Sequence, residues 1–152
     1  MSMKLPSAYR GWLYGTSSAL FVSGVVWAIL HRVSLAHQDM TRNWSAALEP
    51  WMLKLHGAAA MIFLVVIGAL LPIHILKRMA TRKNLVSGLV LLGLIGLLTI
   101  TGYGLYYIGN DTARSFTSLL HLWVGVLAPG ILLWHLLYQY RRKKVSRSRL
   151  PH

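Results

Sequence analysis

The sequence predicts an all-α integral membrane protein, a four-helix bundle with both termini in the cytoplasm. Three observations carry that prediction. Of 152 residues, 55% are hydrophobic and only three are acidic, and the mean hydropathy is +0.52, too apolar for a soluble domain of this size. Four apolar runs, each close to the ~20 residues that cross a hydrocarbon core, fall at about 12–30, 51–75, 85–108 and 118–140. They form one transmembrane domain over 1–152, ending in a basic cytoplasmic tail at 141–152. The cations, finally, are segregated. Lys4 and Arg10, the group Lys77, Arg78, Arg82 and Lys83, and the tail residues Arg141, Arg142, Lys143, Lys144, Arg147 and Arg149 make up twelve of the sixteen. All three acids, Asp39, Glu49 and Asp111, lie in the other two connections or at their helix edges. The positive-inside rule then places the termini in the cytoplasm and makes the tail an anchor to lipid headgroups. A net charge of +13 so distributed points to membrane lipid and away from nucleic acid.

The first helix carries Ser17, Ser18, Ser23 and Gly24, small residues that permit close packing. His31 and Arg32 stand at its outer end, and the connection to Pro50 is the longest, a candidate docking surface or lid. Pro50-Trp51 fits a helix start with an aromatic at the interface. Helix two then reads Lys-Leu-His-Gly-Ala-Ala-Ala from Lys54, so small residues follow His56 directly. Helix three lacks charge and histidine and holds Gly88, Gly93, Gly96, Gly102 and Gly104, a packing pattern, with Tyr103, Tyr106 and Tyr107 as an aromatic belt. Ser118 is the expected cap of helix four, and Pro129 lies between that helix's two histidines.

Those histidines are the chemistry. Helix two has His56 near its start and His74 near its end; helix four has His121 and His135. At ~100° per residue, the 18 steps between the first two make whole turns and the 14 between the second two fall ~40° short of whole turns. Each pair occupies one stripe. Their separations, roughly 27 Å and 21 Å by helical rise, differ enough that tilt or a bend at Pro72 must reconcile them. An imidazole inside a bilayer needs a partner, and iron held between two imidazoles supplies one. The expectation is two non-covalent b-type haems, one between His56 and His121 and one between His74 and His135. With no cysteine there is no covalent haem attachment, iron–sulfur cluster or thiolate nucleophile. No nucleotide-binding, zinc-protease or hydrolase motif is present.

With these four histidines the chain resembles the prokaryotic di-haem cytochrome b group, which includes four-helix cytochrome b(561)-like proteins and the cytochrome b subunits of formate dehydrogenase and hydrogenase. The resemblance maps His56 and His121 onto the outer haem and His135 onto a ligand of the inner one. In the cytochrome b(561)-like branch the remaining ligand lies at the cytoplasmic end of helix one, where this chain has Tyr9, Arg10 and Trp12. It is more similar to the branch in which helices two and four each supply two ligands, which leaves His74. The resemblance implies electron transfer between quinone and a periplasmic or membrane redox partner across a bacterial cytoplasmic membrane. It also calls for cations at the haem propionates, with Lys54 and Arg114 the outer candidates and Lys77, Arg78 or Arg141 the inner ones. For quinol chemistry, Glu49 and then Asp39 are the candidate proton acceptors. Two other classes stay open: a self-contained membrane oxidoreductase acting on superoxide or quinone, and a haem-free histidine-based transporter or assembly factor.

Overall fold

In a computed structural model the described residues are 7–36, 44–72 and 85–148, and every regular element among them is helical. They form α1 (Ser7–Ala36), α2 (Trp44–Leu70), α3 (Leu85–Tyr107) and α4 (Asp111–Ser148). The chain divides into two compact units, Met1–His74 and Ile75–His152. The first is the hairpin of α1 with α2, the second the hairpin of α3 with α4.

All four helices contain a stretch long and apolar enough to cross a membrane: Ala8–Ala36, Trp44–Leu70, Val86–Tyr107 and Asp111–Tyr138. Their surfaces are apolar and their interiors small and polar. Val65, Val86 and Ile100 are each more than 70% exposed, while the buried set includes Thr16, Ser23, Ser45, Ser87 and Thr101. Water would penalise that inversion, whereas lipid favours it, because hydrocarbon accepts the side chains outside and small residues let the backbones approach inside. Three of these hydroxyls bond back to their own helix: Thr16 donates to Trp12 O at 2.7 Å, Ser23 to Ala19 O at 2.6 Å and Thr101 to Leu97 O at 2.7 Å.

The helix boundaries differ from the sequence expectation in ways that have local causes. α1 runs past residue 30 to Ala36, and α2 begins at Trp44 rather than Trp51. Pro50 is therefore inside α2 and not at its start, at the cost of the hydrogen bond its missing N–H would have made. Two cross-links hold the added turns together: Ser34 Oγ meets the fully buried Ser45 Oγ at 2.9 Å, and His31 Nδ1 meets Glu49 Oε1 at 2.6 Å. Glu49, expected in a connection, is a helical residue. At its other end α2 stops at Leu70 and passes through a π turn at residues 71–72, where Pro72 has no N–H to continue the ladder.

The second hairpin turns in three residues, 108–110. Asn110, not Ser118, caps α4: its Oδ1 accepts from Ala113 N at 2.9 Å, and its carbonyl accepts from Arg114 N at 2.9 Å. Asp111 in the first turn adds a favourable charge at the positive helix end. α4 continues through Pro129 and on to Ser148, so the start of the basic tail is helical, beyond the expected end at Tyr140.

Candidate functional site

In the first hairpin His56, half-buried on α2, turns its Nδ1 toward α1. That nitrogen lies 3.0 Å from Ser23 Oγ and 3.1 Å from the carbonyl of Leu20. A carbonyl only accepts, so Nδ1 carries the hydrogen. Ser23 agrees, since its own hydroxyl hydrogen goes back to Ala19 O and leaves the oxygen as acceptor. The next residue, Gly24, lets the ring lie against the α1 backbone: a methyl group there would stand 3.1 Å from His56 Cε1. A side chain of any size would push the imidazole away.

The second hairpin repeats this arrangement with different residues. Thr101 on α3 donates to Leu97 O at 2.7 Å, and its Oγ1 lies 2.9 Å from Nδ1 of His121 on α4. A methyl group at Gly102 would stand 3.1 Å from His121 Cε1, the same distance as at Gly24. So each hairpin has a hydroxyl followed by glycine on its first helix, and on its second a histidine whose ring is fixed in one tautomer. In both, the lone pair is on Nε2. An imidazole held through Nδ1–H to an oxygen, with Nε2 as the electron-pair donor, is the arrangement that metal-ligating histidines adopt, and the hydrogen bond raises the ligand's basicity.

The remaining expected site residues divide. His135 is half-buried on α4, fourteen residues beyond His121 on the same uninterrupted helix. His74 and Arg78 fall outside the described residues. The ammonium of Lys54 sits 4.6 Å above the Trp51 ring, an aromatic contact that places it on the surface of α2 within two turns of His56. Arg114 is exposed at the start of α4. His56 belongs to the first unit, and His121 and His135 to the second.

By sequence alone Ser23, Gly24 and Gly102 are packing residues, and nothing singles out Thr101. The available signal was the pair of dipeptides Ser23-Gly24 and Thr101-Gly102 on apolar helices, which becomes meaningful only once each is set opposite a histidine. Beside this site in the first hairpin, an open groove of about 430 Å³ runs between Gly11, Gly15 and Ala19 on α1 and Ala58, Ala59 and Ile62 on α2. Of the small residues after His56, Ala58 and Ala59 line it. Among the described residues no three of His, Cys, Asp and Glu gather as ligands of an ion. A porphyrin brings its own equatorial nitrogens and asks the protein only for axial ones, so single oriented imidazoles fit a haem. No family model, curated protein or solved structure matches the chain.

Proposed function

We propose that the chain is a di-haem b-type cytochrome of a bacterial cytoplasmic membrane, a four-helix bundle that carries electrons between quinone and a partner oxidoreductase. The observation that carries the reading is the duplicated site: Ser23, Gly24 and His56 in one hairpin, Thr101, Gly102 and His121 in the other. Two imidazoles oriented alike, each offering Nε2, are what a haem iron with two axial histidines requires. On this reading His56 and His121, each held by its own hairpin, are haem ligands through Nε2, and His74 and His135 are the further ligands. Bound haem supplies one-electron carriage.

The chain's own residues do the rest. Ser23 and Thr101 fix the tautomer and strengthen the donor nitrogen, and the two glycines give the rings their position. The apolar helices keep water from the iron and so tune its potential. Lys54 and Arg114 on one side, and Arg78 on the other, are the proposed propionate partners. The segregated cations support cytoplasmic termini.

A pyridine haemochrome assay with a reduced-minus-oxidised spectrum on purified protein tests this directly. The expected result is two b-type haems per chain. A protein that stays colourless after expression with ample haem contradicts it and directs attention to histidine-based transport.

A further inference from the structure

The first hairpin has a second polar level that the histidine ligands do not use. Ser23, Trp27 and His31 succeed one another at four-residue steps on α1, so they share a stripe. Ser23 holds His56; the Trp27 ring stacks on the His31 ring at 5.0 Å and 10°. Across the hairpin, Glu49 on α2 receives His31 Nδ1 at 2.6 Å. Seven residues separate Glu49 from His56, and eight separate Ser23 from His31. The two levels are therefore about 11 Å apart by helical rise.

Glu49 as a carboxylate can only accept, so it fixes the hydrogen on Nδ1 of His31 and leaves the lone pair on Nε2. The indole holds the imidazole plane from one side. The His31 side chain is 43% exposed and that of Glu49 22%, so the pair is open enough to meet a ligand yet shielded enough for its hydrogen bonds to matter. Arg32 neighbours His31 in sequence, and Lys54 is engaged on Trp51. An oriented imidazole base backed by a carboxylate, two turns from His56 as the proposed ligand of a one-electron carrier, is suited to a donor that releases protons and electrons together.

We propose that His31 and Glu49 form a proton-accepting site for the hydroxyl of a planar hydroquinone, at the end of the hairpin where α1 leads into α2. This rests on the haem reading above. The hydroxyl hydrogen-bonds to His31 Nε2. Its O–H bond then breaks, the proton passes to Nε2, and Glu49 balances the imidazolium charge through Nδ1–H. Bound haem would supply the one-electron oxidant, taking the two electrons singly; the second proton goes to water, and the hydroquinone becomes quinone.

The test uses the full-length haem-loaded protein in detergent with duroquinol as the probe. Binding is read by anaerobic equilibrium dialysis, and haem reduction by stopped-flow absorbance. His31→Phe keeps a ring against Trp27 and removes both nitrogens. It is expected to weaken duroquinol binding about tenfold and to slow haem reduction by duroquinol about a hundredfold, with haem content and reduction by dithionite unchanged. Glu49→Gln, which keeps the volume and removes the charge, is expected to slow reduction by duroquinol while leaving binding closer to wild type. Binding and rate both within about twofold of wild type in the two variants overturn the proposal. A lowered melting temperature with unchanged binding overturns it too, and makes the pair a clamp between helices. If the protein carries no haem, the haem reading fails by itself. The dialysis then still decides whether His31 and Glu49 bind the hydroxyl.

Discussion

The two hairpins share a histidine site and differ in what they build beyond it. In the second, the chain turns at once: three residues join α3 to α4, and Asn110 satisfies the new helix start. In the first, α1 continues thirteen residues past Ser23, and α2 runs twelve before His56. The extra turns carry His31 against Glu49 and Ser34 against Ser45. Holding an imidazole thus takes only a hydroxyl, a glycine and a neighbouring helix, because that set recurs without the extension. The extension is a separate feature, and its His31–Glu49 pair has no counterpart in the three-residue turn.

The largest effect should come from removing the donors themselves. His56→Ala and His121→Ala are each expected to remove one haem per chain, seen as a fall from two to one in the haemochrome assay. Next in size are the glycines. Gly24→Leu and Gly102→Leu place a side chain where even a methyl group would stand 3.1 Å from the ring, and the displaced imidazole should bind haem poorly or not at all. Gly24→Ala should do less, weakening haem retention on titration with apo-myoglobin by about tenfold. If the leucine variants load fully, close approach to the backbone is not what orients the rings.

Smaller effects sharpen the comparison. Ser23→Ala and Thr101→Val should keep haem but raise its potential by on the order of tens of millivolts, since a weaker acceptor on Nδ1–H makes Nε2 a poorer donor to ferric iron. Potentiometric titration reads this directly. Ser23→Ala retains Leu20 O as a holder of His56 Nδ1, so the ring should stay in place. An unchanged potential in both variants would reduce the hydroxyls to packing. Asn110→Ala should cost about 1 kcal/mol in the second hairpin through loss of the helix cap, measured by denaturant unfolding, and should leave the redox properties of the histidine site untouched.

Much of this architecture was legible in the amino-acid pattern. Four apolar runs gave four helices because each run exceeds what a soluble helix would expose. The ends were less readable. Pro50 suggested a start, yet α2 begins six residues earlier at Trp44, because contacts from Ser34 and His31 on the other helix stabilise turns that proline alone would disfavour. Ser118 suggested a cap, and Asn110 does that work instead, its amide oxygen reaching Ala113 N. The histidines of the site stood out by type alone. Their holders did not, because Ser, Thr and Gly serve helix packing so often that only the facing helix reveals a second role. Glu49 read as a loop acid for the same reason: its partner, His31, is eighteen residues away.

The central claim is that His56 and His121, held alike by a hydroxyl and a glycine in their own hairpins, are haem ligands. Low-temperature reduced-minus-oxidised spectra of His56→Ala and His121→Ala, compared band by band, test it most directly. The expected result is that each variant loses a b-type component that the wild type shows. A normal two-haem spectrum in either variant would contradict it.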